Sequence, residues 1–146
     1  MKNILLFGFL TIALLATSCT KDPEPEPQIN FDYHAHVMAP NTDNKHVNDT
    51  MHIHVDFESH SGETVHHINV KIYNADDASI VIYDEPSDAH VHESSGEFSY
   101  HHDFILSEVN GMSAHSDWIL EAKVWGPTPG EAEAIETVAF HVHPPR

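Results

Sequence analysis

The sequence predicts an all-β protein, an antiparallel two-sheet sandwich of about seven strands, and three observations predict it. Apolar and polar residues alternate with period two in run after run, which places one side chain in a core and the next in water. The runs are short, and Gly, Pro, Asn and Asp separate them at the spacing of strands joined by turns. No stretch of helical periodicity competes.

The strands are expected near residues 30–38, 50–58, 66–74, 79–84, 97–106, 117–125 and 136–143. In Met51-His52-Ile53-His54-Val55-Asp56-Phe57-Glu58 every odd position is apolar and every even one polar. Between Asp117 and Trp125 the inward set is Trp118, Leu120, Ala122 and Val124, which leaves Trp125 in phase with Ile119, Glu121 and Lys123 on the outer side. Thr137, Ala139, His141 and His143 face away from Val138, Phe140 and Val142. His102 shares its phase with Phe98, Tyr100, Phe104 and Leu106, so it is expected to be partly buried. Seven such strands in roughly 115 residues resemble an immunoglobulin-like or fibronectin-III-like sandwich of three plus four strands. The resemblance is one of architecture, since the chain carries no disulfide pair and no family motif.

The amino-terminal part has a different character. Met1-Lys2-Asn3 precedes an apolar stretch from Ile4 to Ala16, too short for a permanent span of ~20 apolar residues. Leu15-Ala16-Thr17-Ser18-Cys19 resembles the lipobox of bacterial lipoproteins, in which the cysteine is diacylated and becomes the first residue of the mature chain. Residues 1–18 are thus expected to be a removed signal peptide. Residues 19–28 read as a lipidated, acidic, proline-rich tether, because alternating Pro and Glu from Pro23 to Pro27 hold the backbone extended. Residues 29–146 make the sandwich domain. Lys21 and the acids after Cys19 resemble the export signal that some Gram-negative lipoproteins use to reach the outer face of the outer membrane. The expected location is therefore the cell envelope, lipid-anchored at the outer membrane, with either leaflet open. Small histidine-bearing immunoglobulin-like domains of envelope lipoproteins are similar in plan, but that resemblance implies no chemistry. With Cys19 the only cysteine, the domain must stand on its core without a disulfide.

Six Lys plus Arg against 23 Asp plus Glu give a formal net charge of −17. That charge excludes a nucleic-acid partner, which needs clustered cations, and suits a surface protein or a collector of cations. Fifteen histidines are the most informative feature. They occur as the pairs His34/His36, His52/His54, His90/His92 and His141/His143, and as the doublets His66-His67 and His101-His102. Residues two apart on a strand point to one face, about 6.6 Å apart, and facing residues of antiparallel neighbours stand about 4.5–5.5 Å apart. Imidazole pairs on adjacent strands can thus supply the three or four nitrogens that zinc takes at about 2.0–2.1 Å.

If the first, second and fifth strands share a sheet, its outer face carries His34, His36, His52, His54, Asp56, His101 and Asp103. That platform is the expected metal site, with the carboxylates as extra ligands or as partners that orient ring N–H groups. Zinc is the first expectation, with copper and nickel as alternatives, and Met38 beside His36 offers a soft ligand. If the first strand pairs with the last, His34 and His36 meet His141 and His143 instead. His90 and His92 are read as loop-borne, and His60, His66 and His115 also sit near turns; these and His141 and His143 are secondary.

The chain reads as a binding protein and not an enzyme, because no Gly-x-Ser-x-Gly, Walker loop, dinucleotide fingerprint or His-Glu-x-x-His occurs. Phe140-His141-Val142-His143 resembles the copper-ligand strand of copper–zinc superoxide dismutases, but it ends the chain and lacks that family's later ligand loops and disulfide. The competing reading is an adhesion or protein- or glycan-binding module with incidental or pH-responsive histidines, anchored by an aromatic such as Trp125. An envelope or surface protein partner and a metal-bridged dimer also stay open.

Overall fold

The computed structural model describes residues 32–41, 44–61, 63–90, 96–127 and 133–146, with side chains from 86 to 90 excepted. The expected signal segment, Cys19 and tether lie outside the described residues, as does His92.

Period-two alternation produces strands wherever it occurs. They are β1 (Tyr33–Ala39), β2 (Lys45–His46), β3 (Thr50–Ser59), β4 (His67–Asn74), β5 (Val81–His90), β6 (Glu97–Ile105), β7 (Ser116–Trp125) and β8 (Ala134–His143). One sheet has the order β1-β3-β6 and the other β2-β8-β7-β4-β5. All pairings are antiparallel except the two-residue parallel bridge of β2 to β8. The result is an all-β sandwich of the immunoglobulin-like kind, three strands facing four, with β2 added at an edge.

The inward rows meet in one core. Met51, Ile53, Val55 and Phe57 of β3 face Ile68, Val70 and Ile72 of β4, Trp118, Leu120, Ala122 and Val124 of β7, and Phe140 and Val142 of β8. Among the described residues, no polar or charged side chain is fully buried. The indole N–H of Trp118 is satisfied locally by donating to Ser116 Oγ at 2.6 Å. Val47, buried between the sheets, closes one end of the sandwich, and its segment is tied to both of them: Val47 N donates to His143 O at 2.9 Å and Asn48 N to Leu106 O at 2.6 Å. Ser59 N donates to Gly96 O at 2.7 Å, and a Cβ at Gly96 would lie 2.9 Å from Ser59 O, so glycine permits that approach.

Two expectations are corrected, and one alternative left open is decided. The strand expected at 79–84 continues through Pro86 to His90, so His90 ends β5 opposite His67 and is not loop-borne. β5 is an edge strand, where proline's missing N–H removes no ladder bond, and a bulge between Ile68 and Val70 absorbs the register change. His102 is exposed, because β6 is also an edge strand and the opposite sheet covers its inner row incompletely; its ring lies 4.9 Å from that of Tyr83. At that open edge the Tyr83 and Tyr100 hydroxyls hydrogen-bond each other, and burial pushes both phenols above their usual pKa. β1 pairs with β3 and not with β8, which separates His34 and His36 from His141 and His143.

Phe57, the last inward apolar residue of β3, is fully buried in the core. Phe57→Ala is expected to cost about 3–5 kcal/mol of folding free energy by lost transfer and cavity formation, measured by urea denaturation; a loss under about 1 kcal/mol would contradict this core assignment.

Candidate metal centres

Antiparallel register decides which outward histidines meet on the three-stranded sheet. His54 pairs with His101 and His52 with Asp103 across β3 and β6, while His34 pairs with Glu58 and His36 with Asp56 across β1 and β3. The seven expected platform residues therefore share one outer face, but they divide into groups. His52, His54 and His101 gather with ring centroids 4.2 Å (His54–His101), 5.8 Å (His52–His101) and 6.5 Å (His52–His54) apart. Two of these rings already hold carboxylates: His52 Nδ1 lies 2.7 Å from Asp103 Oδ1 and His54 Nε2 lies 3.0 Å from Asp56 Oδ1. The Ser99 hydroxyl donates to the same Asp56 oxygen and, with His54, holds the Asp56 carboxyl below its usual pKa. His34 turns instead toward His60, 4.5 Å between centroids, and Asp32. His36 stacks 6.1 Å from His34 and reaches toward Glu136 at 4.0 Å.

Among the described residues, two sets bring three potential ligand atoms within 4.8 Å of one another: His115, His141 and His143, and Asp32, His34 and His60. The first set lies where β7, β8 and β2 end together. His141 and His143 point outward from β8, with centroids 4.6 Å apart. His115, in left-handed backbone at φ 60°, donates its N–H to Val142 O at 2.7 Å and swings its ring to 6.2 and 6.5 Å from the other two. The parallel bridge supplies a fourth imidazole, since His46 pairs with His143 and their rings stand 5.5 Å apart.

The hydrogen bonds of this cluster determine its tautomers. His46 Nδ1 lies 2.8 Å from Pro144 O, and a carbonyl only accepts, so Nδ1 carries the hydrogen and the other ring nitrogen of the neutral imidazole keeps its lone pair. His141 Nδ1 lies 2.7 Å from Asp117 Oδ1, and donation to that carboxylate again leaves Nε2 as the basic atom. A ring N–H held by a carboxylate or carbonyl is the usual support of a metal-binding histidine. Partial burial first, and then the neighbouring rings of His141, His46 and His115, hold His143 below the ordinary histidine pKa, which favours the neutral form that coordinates metal. Two nitrogens on one tetrahedral zinc stand about 3.3 Å apart, and the ligand atoms of His115, His141 and His143 lie within 4.8 Å of one another.

Trp125, the expected contact anchor, is half-buried: its ring stacks on His67 at 5.3 Å and 10°, with the Lys123 ammonium 5.3 Å from its centroid. Met38, exposed, lines an open groove of about 420 Å³ that also reaches His52. The ligand sets that pattern alone does not assemble include His46, brought in by a parallel bridge, His115, aimed by a left-handed turn, and Asp32 with His60, which lie just beyond the ends of alternating runs.

No protein-family model matches the chain, and no curated protein does. Among solved structures the chain is similar to the CARDB domain of a Pyrococcus furiosus protein in complex with di-metal ions, at 12% identity and TM-score 0.46, over 77% of this chain and 87% of that one. It is similar to a β-glucosidase from Listeria innocua in complex with glucose, at 12% identity and TM-score 0.47, over 77% of this chain but only 16% of that one. It is also similar to murine CRIg, at 10% identity and TM-score 0.42, over 77% and 99% of the two chains. None of these similarities carries a function to this chain.

Proposed function

We propose that the chain is an envelope lipoprotein, anchored through Cys19, whose sandwich domain binds a divalent transition metal, zinc first, with copper or nickel as alternatives. The observation that carries this reading is the convergence of His115, His141 and His143 beside His46, with two of the four rings held as Nδ1–H tautomers by Asp117 and Pro144. Exposed histidine–carboxylate pairs contribute only about 0–1 kcal/mol of stability, so folding alone does not demand such a gathering. An ion bound at 100 times its Kd would stabilise the native state by about 2.7 kcal/mol. The residues act as ligands, and the function is capture or buffering of metal at the envelope. The alternative, an adhesion module built on Trp125, has less support, because that ring is already engaged by His67 and Lys123.

Calorimetric titration of the mature chain carrying Cys19→Ser with Zn²⁺, Cu²⁺ and Ni²⁺ at pH 7.4 tests the metal reading. Submicromolar binding is expected, with the tightest event lost in His115→Ala/His141→Ala/His143→Ala; unchanged binding in that variant would remove this cluster as the site. Asp117→Asn is expected to weaken zinc binding at the cluster about 10–100-fold, the range for losing a carboxylate that orients a ligand, whereas an effect below twofold would deny Asp117 that role. For the anchor, cells expressing the full chain and fed labelled palmitate should incorporate label in the native protein and not in Cys19→Ser; label in neither form would exclude lipidation.

A further inference from the structure

The second set of converging ligand atoms lies on the other sheet, and its chemistry differs. We propose that Asp32, His34 and His60 form an independent site for a divalent cation, a mixed carboxylate–imidazole site with open coordination positions, suited to Zn²⁺, Mn²⁺ or Fe²⁺ in a five- or six-coordinate, partly hydrated state. It does not rest on the His115 cluster and would stand if that cluster bound nothing.

The backbone builds the site. β1 and β3 are in register with Tyr33 opposite Ser59 and His34 opposite Glu58, so the start of one strand lies beside the end of the other. His60 N donates to Asp32 O at 2.8 Å, which carries the pairing one step beyond the strands and fixes both residues at one corner. His34 and His60 then present rings 4.5 Å apart, and the ligand atoms of all three residues lie within 4.8 Å of one another. His34 Nε2 and Asp32 Oδ1 are 3.1 Å apart, close to the roughly 3 Å edge between two ligands on an ion with bonds of about 2.1 Å. The same spacing serves a hydrogen bond in the metal-free protein, so an ion would take the place of the ring hydrogen between the two atoms, with the neutral imidazole then carrying its hydrogen on Nδ1.

Glu58 supplies the support. Its Oε2 lies 3.0 Å from His60 Nε2 and can accept that N–H, which leaves His60 Nδ1 basic. Behind His34, the His36 ring stacks nearly parallel at 3° and 6.1 Å. Two imidazoles and one carboxylate fill about half of an octahedral shell, and the exposure of Asp32, His34 and His60 leaves water to fill the rest. The donor set separates the two sites. Imidazoles alone favour copper, nickel and zinc, while a carboxylate with water positions also accepts manganese, which binds weakly to neutral nitrogen ligands.

The test uses the mature chain with Cys19→Ser, titrated with Zn²⁺ by calorimetry and with Mn²⁺ by electron paramagnetic resonance, beside His34→Ala/His60→Ala, Asp32→Asn and His115→Ala/His141→Ala. Two zinc ions per chain are expected in the parent and one in each double-histidine variant. Mn²⁺ binding should survive in His115→Ala/His141→Ala, fall at least tenfold in Asp32→Asn and vanish in His34→Ala/His60→Ala. A His34→Ala/His60→Ala chain that keeps the parent's full zinc stoichiometry and Mn²⁺ affinity would overturn the proposal. Loss of zinc only in that variant, with His115→Ala/His141→Ala unaffected, would uphold this site and refute the other. If a variant fails to fold, paramagnetic broadening in the parent decides: ring signals of His34 and His60 should disappear at one equivalent of Mn²⁺, and their persistence would overturn the site.

Discussion

Antiparallel register is the constraint on which the rest of this structure depends. The core takes only one of every two residues on β3, β4 and β7, and that inward row closes the sandwich with no fully buried polar or charged side chain among the described residues. The outward row is thereby released from packing, and here much of it is histidine and carboxylate. Once the core fixes which residue of β3 stands opposite which residue of β1 and β6, the imidazole neighbours follow without further choice. A slip of one residue would turn His52 and His54 inward and Ile53 and Val55 out to water, at the loss of the core. Site geometry and fold stability are therefore set by the same pairing.

The two sheets then use their histidines differently. On the three-stranded face each of His34, His52, His54 and His60 has a carboxylate oxygen within 3.1 Å, so imidazoles and acids alternate across a chain of strongly negative charge. At the β7–β8–β2 end imidazoles face one another, and Asp117 is the carboxylate bonded to them. Opposed imidazoles repel when charged, which is part of why His143 resists protonation. The first face thus presents mixed carboxylate and imidazole donors, and the second end presents imidazole donors in the main.

Much of the fold was legible in the chain because a half-buried strand writes its burial into every second residue. All seven alternating runs became strands, and Trp118, Leu120, Ala122 and Val124 became core. What alternation could not carry was edge behaviour. β2 is two residues long and pairs in parallel, so it has no period to read. β5 continues past Pro86, and His102 stays exposed on β6, because edge strands relax both the hydrogen-bond rule and the burial rule. The candidate sites were legible in the same measure. Strand-borne His141 and His143 stood out as a pair, but their completion by His46 and His115 depends on a parallel bridge and a left-handed turn that alternation does not encode. Likewise His34 and His36 were visible as a pair, whereas the pairing of His34 with Asp32 and His60 depends on a backbone hydrogen bond at the strand ends.

In the proposed reading, the sandwich turns its outward imidazoles at the β8 edge into a metal centre. X-ray absorption at the zinc edge, on the mature chain loaded with one equivalent of Zn²⁺, tests it most directly. Three or four nitrogen ligands at about 2.0–2.1 Å are expected, with the outer-shell scattering of imidazole rings, and at least two of those rings should be lost in His141→Ala/His143→Ala. A first shell of oxygen alone, or a spectrum unchanged by that double substitution, would contradict it.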